Sequence, residues 1–103
     1  MVRLKNVSDE ERLEEVINKL CQEYKLKVYV NGWARKTYDI FEENRKLKRS
    51  ENLVRIESLS ITTGEIRYFE DKAEGFAKRL GEELETAFDL EEAILIRENK
   101  PGY

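Results

Sequence analysis

Residues 52–69, NLVRIESLSITTGEIRYF, decide the fold. Residues 53–61 are rich in β-branched and aliphatic side chains, and residues 65–69 repeat that character. Residues 62–64, Thr-Thr-Gly, suit a short hairpin loop, because glycine tolerates the positive φ that such loops commonly require at their last position. The apolar positions change parity along the first strand, which predicts a bulge near residues 57–58. The sequence therefore predicts a β-hairpin in the middle of a sheet that two helices cover.

A helix is predicted on each side of this hairpin. Before it, Ser8 is a good N-cap and Glu11 follows at the capping-box spacing. The apolar stripe of this first helix consists of Leu13, Val16, Ile17, Leu20 and Tyr24. After the hairpin, Asp71 opens a second helix. Its stripe consists of Ala73, Phe76, Ala77, Leu80, Leu84, Ala87 and Phe88.

Gly75 lies off that stripe, where an exposed glycine costs up to about 1 kcal/mol relative to alanine. Two explanations for a glycine at this position are open: the close approach of a partner, and neutral drift of the sequence.

A second hairpin is predicted between the first helix and the organising hairpin. Residues 25–30 alternate, with Leu26, Val28 and Val30 on one face. The pair Asn31-Gly32 follows, and such a pair between β-prone runs predicts that residues 33–41 fold back as the next strand. A rival interpretation makes residues 34–48 a helix. We favour the hairpin because of the turn and the β-prone residues that follow it.

The order of elements predicts an α+β fold. Residues 2–5 are a candidate edge strand, and the apolar run at residues 93–96 predicts a strand buried on both sides or in the sheet interior. Helices at both ends of an antiparallel meander predict a two-layer sandwich, with a mainly antiparallel sheet of four to five strands and both helices on one face. If residues 2–5 pair, right-handed crossovers give a ferredoxin-like arrangement. We expect one domain over residues 1–103, with residues 99–103 as a frayed tail.

Composition limits the classes of function. Charged residues make up 40% of the chain, above the ~25% that is usual, and such a surface suits a hot environment. The chain has no apolar run of about 18 residues and no signal-peptide core near Met1, so a cytoplasmic location without a membrane partner is expected. With no histidine and one cysteine, an imidazole triad and a single-chain zinc site are excluded. We expect no catalytic residues, no bound metal and no cofactor.

The basic middle of the chain carries the candidate binding surface. Residues 25–55 contain nine basic and four acidic side chains, although the whole chain has a net charge of −3. The candidate residues are Trp33, Arg35, Lys36, Tyr38, Arg45, Lys46, Lys48 and Arg49. Positive charge beside exposed aromatic rings suits single-stranded nucleic acid. The acidic remainder argues against a dedicated nucleic-acid binder.

The expected function is therefore that of a small non-enzymatic binding or regulatory module. It would act through protein–protein contacts, with another protein or a second copy of the chain as partner, because a sheet covered on one side leaves a face or an edge strand available. The alternative is binding of single-stranded RNA or DNA through residues 33–55.

Overall fold

A computed structural model of the chain describes residues 9–33, 35–46, 51–57 and 64–99. The helices are α1 (Asp9–Tyr24) and α2 (Glu74–Phe88), and the strands are β1 (Leu26–Asn31), β2 (Thr37–Glu42), β3 (Val54–Glu57), β4 (Glu65–Tyr68) and β5 (Ile94–Arg97). A 3₁₀ turn, Asp71–Ala73, leads directly into α2. The predicted α+β class is confirmed.

The five strands form one sheet in chain order, β1-β2-β3-β4-β5. The first four strands are antiparallel neighbours, with Val28 opposite Ile40 and Ile40 opposite Val54. β5 pairs with β4 in parallel, with Ile66 opposite Leu95, because α2 returns the chain to the end where β4 began. The sheet is therefore mainly antiparallel, as predicted.

One hydrophobic core lies between the two helices and one face of the sheet. Its buried side chains include Leu13, Ile17 and Leu20 from α1, Phe76, Ala77, Leu80 and Leu84 from α2, and Tyr38, Ile40, Val54, Ile56 and Ile66 from the sheet. Strand residues alternate between faces, so the positions between these point away from the helices. Near the ends of the helices, the rings of Tyr24 and Phe76 meet edge to face with centroids 5.2 Å apart. The predicted apolar stripes of both helices are confirmed except at Tyr24, which is 43% exposed, and at Ala87, which does not belong to the core.

The hairpin between β1 and β2 is confirmed, but its loop is longer than expected. Strand pairing stops at Asn31 opposite Thr37, so β2 begins four residues later than the predicted Trp33. Gly32 has φ +103, and a Cβ there would lie 2.3 Å from the carbonyl oxygen of Arg35. The loop therefore closes by placing that carbonyl against the Cα of Gly32, which only glycine permits.

Part of the organising hairpin is described. Val54 pairs with Tyr68 and Arg55 with Arg67, and Gly64 has the expected positive φ of +73. The predicted continuation of the first strand to Ile61, the bulge at residues 57–58 and loop residues 62–63 extend outside the described residues. Residues 1–8, with the candidate strand and the Ser8 cap, and tail residues 100–103 also lie outside them.

The last strand corrects one expectation. The apolar run at residues 93–96 predicted a strand buried on both sides or in the sheet interior, but β5 is the outermost of the described strands next to β4, and its first and last residues are exposed. Ile94 is 49% exposed. The reason is topological: β3 already occupies the other side of β4, so a strand returning through α2 can pair only at the edge.

Candidate functional site

An edge strand with exposed apolar side chains lies at one side of the molecule. Tyr29 and Val30, near the end of β1, are 47% and 42% exposed, and Trp33 in the following loop is 95% exposed. Among the described strands, none pairs with the outer side of β1. We call these three side chains, with the outer backbone of β1, the β1 edge. The β1 edge therefore combines backbone N–H and C=O groups that no described strand pairs with and large apolar side chains that are exposed.

Two predicted basic residues lie close to the β1 edge. Arg35 is exposed in the same loop as Trp33. The ammonium of Lys36 lies 2.8 Å from a carboxylate oxygen of Glu10 and 3.4 Å from one of Glu14. The hydrogen bond to Glu10 contributes most to the raised pKa of Lys36, although partial desolvation opposes it. Lys36 therefore joins the β1–β2 loop to α1, and its charge is shared with two carboxylates.

Tyr38 belongs to the core. The sequence placed it on the candidate binding surface, but it is only 1% exposed. Its hydroxyl donates a hydrogen bond to Glu14 of α1 over 2.9 Å. Burial, followed by the hydrogen bond and the charge of Glu14, raises the pKa of Tyr38. Its ring therefore supports the packing of α1 on the sheet and is not exposed for stacking.

The other described basic residues lie at the opposite end of the hairpin. Arg45 follows β2 and contacts carboxylates of Glu70 at 2.6 Å, Glu42 at 2.8 Å and Glu51 at 3.7 Å. The hydrogen bond to Glu70 is the main cause of its raised pKa. Lys46 is exposed beside it.

The predicted surface is therefore not gathered in one place. Five residue steps separate the two ends of the β1–β2 pairing, or about 17 Å at strand spacing. Trp33 and Arg35 lie at one end, and Arg45 and Lys46 at the other. Lys48 and Arg49 lie outside the described residues.

The sheet face opposite the helices holds a polar cluster. One oxygen of Asp39 accepts hydrogen bonds from Arg55 at 2.8 Å and from the side-chain amide of Asn52 at 2.7 Å. Asn52 is completely buried, and its own carbonyl oxygen has no hydrogen-bond partner among the residues that the structure describes. The cluster links β2 to the segment that enters β3, so it serves the fold.

A cleft lies at the end of the sheet away from Trp33. Its volume is about 270 Å³, and it is lined by Tyr24, Leu26, Glu42, Leu53, Val54, Lys72, Ala73, Gly75 and Phe76. Lys72 donates a hydrogen bond to Glu42 at its rim, which is the main cause of the lowered pKa of Glu42. We call it the end cleft. It is mainly apolar, with one ion pair at the mouth.

Gly75 is one of the residues that line the end cleft. Apart from its chain neighbours and the backbone of its own helix, no atom of the described residues lies within 4 Å of the position that a Cβ at Gly75 would take. A larger side chain there would fill the mouth of the cleft. The sequence showed Gly75 as an unexplained exposed glycine, and that was its only signal of the cleft.

Comparison with models of known protein families, with curated proteins and with solved structures gave no match to this chain. In the described part of the chain, neither helix is long and apolar enough to cross a membrane.

Proposed function

We propose that this chain is a non-enzymatic binding module that acts through protein–protein contacts made by the β1 edge. The carrying observation is the 95% exposure of Trp33 in the loop that follows β1, together with the exposure of Tyr29 and Val30 on the two faces of that strand. Tryptophan and tyrosine are enriched among the residues that dominate the free energy of protein association. Exposed apolar groups gathered in one region mark interaction sites more often than single exposed residues do.

The backbone of β1 supports the same proposal. Alternate residues of this six-residue strand point their N–H and C=O groups to the outer edge, where no described strand pairs with them. Such an edge is a template for pairing with another strand. Lys27 is the only charged residue of β1, and its ammonium donates to the carbonyl of Arg45 within the same molecule. The edge is thus weakly protected by charge.

Binding of single-stranded RNA or DNA is the second candidate, because Trp33 and Arg35 are exposed in one loop. A ring for base stacking beside a cation for phosphate is the minimum that such binding needs. Against it, Lys36 and Arg45 are paired with carboxylates, and Arg45 lies at the far end of the hairpin. The contacts therefore favour a protein partner.

Affinity capture tests the main proposal. Wild type and Trp33→Ala are immobilised, and proteins retained from an extract of the source cells are compared by quantitative mass spectrometry. Ile94→Ser, at the other edge of the sheet, is the matched control. We expect at least one protein that wild type and Ile94→Ser retain and Trp33→Ala loses. That protein, once purified, should bind Trp33→Ala at least tenfold more weakly. If no retained protein depends on Trp33, the proposal is wrong.

Fluorescence anisotropy tests the second candidate with labelled single-stranded RNA and DNA at two salt concentrations. Phosphate contacts release counterions, so specific binding through basic residues would weaken steeply with salt. Under the main proposal, binding is absent at low salt or is unchanged in a joint Arg45, Lys46, Lys48 and Arg49→Glu variant. Salt-sensitive binding that quenches Trp33 emission would reverse the ranking.

A further inference from the structure

The sequence of β1 is complementary to itself in an antiparallel pair. Leu26, Val28 and Val30 alternate with Lys27 and Tyr29, so the strand reads almost symmetrically about Val28. Directly opposed residues of antiparallel strands point to the same face. A second copy paired about Val28 therefore sets Leu26 against the partner's Val30 on the helix side, and Lys27 against the partner's Tyr29 on the other side. Apolar groups meet apolar groups, and the stem of a lysine lies beside an aromatic ring.

The same pairing brings Trp33 to the end cleft of the partner. Because Val30 lies opposite the partner's Leu26, the chain beyond Val30 continues past the level of the partner's Tyr24. Tyr24 and Leu26 are lining residues of the end cleft. Trp33 lies three residues beyond Val30. The most exposed large side chain of one copy thereby lies at the same end of the paired strands as the apolar cleft of the other.

The end cleft suits an indole ring. A cavity of about 150 Å³ lined by apolar side chains accommodates benzene, so 270 Å³ accommodates a two-ring side chain. Leu53, Val54 and Phe76 provide apolar walls. Glu42 at the rim provides an acceptor for the indole N–H, and Lys72 provides a cation for the ring face. Gly75 lines the cleft without contributing a side chain to it.

From these three observations we infer that the partner of the β1 edge is a second copy of this chain. The dimer is two-fold symmetric: β1 pairs antiparallel with the partner's β1, and Trp33 of each copy enters the end cleft of the other. This inference rests on the proposed function and names its partner. Each contact occurs twice and the interface closes on itself, as two-fold symmetry requires. The two five-stranded sheets become one continuous sheet of ten described strands.

The first experiment uses Trp33 as a probe, since it is the only tryptophan. Light scattering and tryptophan emission are followed from nanomolar to hundreds of micromolar protein. We expect a dimer whose formation coincides with a blue shift of the emission, because the indole leaves water. Hydrogen exchange at both concentration limits should show β1 amides that become protected only in the dimer.

The second experiment blocks the end cleft. Gly75→Phe should raise the dimer dissociation constant at least tenfold and keep the emission at the wavelength of an exposed indole. Glu82→Phe is the matched control, because Glu82 is exposed on the same side of α2 but about 10 Å further along the helix. It should dimerise like wild type. Far-ultraviolet circular dichroism confirms that both variants are folded.

The third experiment mixes two variants that each lack one half of the contact between Trp33 and the end cleft. Trp33→Ala has an intact cleft but no tryptophan, and Gly75→Phe has a tryptophan but a blocked cleft. Neither should dimerise tightly alone. Their mixture should form a heterodimer with one working contact, seen as a blue shift that only the Gly75→Phe copy can produce.

The outcomes separate this inference from the proposed function. A wild type that stays monomeric with exposed Trp33 emission at hundreds of micromolar overturns the dimer, as does a dimer that neither Trp33→Ala nor Gly75→Phe weakens. Pairing of residues 2–5 of the same chain with the β1 edge would give such a monomer. If Trp33 is still required to capture a different protein, the proposed function stands and only the choice of partner is wrong. If nothing is captured, both fall.

Discussion

Two glycines in α2 differ in what a methyl group would meet. At Gly75 a Cβ enters open space, whereas at Gly81 it would lie 3.0 Å from the Cβ of Ala93. Both residues have helical backbone, so alanine removes the entropic penalty of glycine in each case. We expect Gly75→Ala to raise the free energy of unfolding by about 0.5–1 kcal/mol. Gly81→Ala should gain less or lose stability, because Ala93 must move. Urea denaturation of the two variants checks this, and equal gains would contradict it.

Burial of Cys21 and Tyr38 makes stability sensitive to alkali. Burial raises the pKa of Cys21 from 9.0 to about 12, and burial followed by Glu14 raises the pKa of Tyr38 above its ordinary 10.0. Both groups therefore keep their protons in the folded protein at a pH where the unfolded chain releases them. Their contribution is complete below pH 9 and declines as pH rises above it.

The expected result is a free energy of unfolding that falls between pH 9 and 12. Once unfolded Cys21 is ionised, this group alone contributes a slope of about 1.4 kcal/mol per pH unit. Cys21→Ala should remove the part of this fall in the free energy of unfolding that begins near pH 9. Tyr38→Phe should remove the part that begins near pH 10. Denaturant melts across this pH range measure both slopes, and a variant with an unchanged slope would contradict its assignment.

Burial could be predicted from the sequence for residues on a helix face, but not for Tyr38. The buried positions of Leu13, Ile17 and Leu20 follow from spacing alone, because a helix face is a local property. Tyr38 was expected at the surface because its partner, Glu14, lies 24 residues away in sequence. Only the packing of α1 on the sheet brings the hydroxyl and the carboxylate together.

At the scale of elements, Asp39 joins β2 to the entry of β3. Asp39→Ala removes the acceptor of the buried Asn52 amide and the partner of Arg55. An unsatisfied buried donor costs about 1–3 kcal/mol, and we expect a loss of that size in denaturant melts. Glu57→Ala, at an exposed position of β3, should change stability by less than about 0.5 kcal/mol. Equal effects of the two substitutions would mean that the cluster does not stabilise the fold.

The type of each element could be predicted, but some bounds and positions could not. Asn31-Gly32 correctly indicated a hairpin, yet the contact of Gly32 with the Arg35 carbonyl lengthens the loop and delays β2 to Thr37. The apolar run of β5 resembles an interior strand. Its edge position depends on which side of β4 was still open, which local sequence does not encode.

For the whole molecule, the fold depends on α2 packing across the sheet. Leu80 is completely buried in the shared core, so Leu80→Ala should lower the free energy of unfolding by roughly 2–5 kcal/mol. Lys78→Ala, exposed on the same helix, should change it by less than about 0.5 kcal/mol. A Leu80→Ala protein that melts in denaturant like wild type would contradict the packing described for α2.

The end cleft shows why a site is harder to predict than a fold class. Its lining comes from α1, β1, β2, the entry and first residue of β3, the 3₁₀ turn and the start of α2. Each of these residues has an ordinary local role, as Leu26 does in its strand. Only Gly75 departs from the residue preference of its element, since glycine is unfavourable inside a helix. It was therefore the only lining residue whose presence the local sequence did not account for.

The parallel pairing of β5 has a mechanical consequence. Glu10, near the start of α1, lies beside Lys36 at one end of the sheet, whereas Arg97, the last residue of β5, pairs with Asp71 at the other. A stretching force between these points runs along the strands. It loads all the β4–β5 hydrogen bonds together in shear, whereas a hairpin pulled from its two adjacent ends peels open one bond at a time. We therefore expect the final strand to act as a force-bearing clamp when the chain is held at both ends.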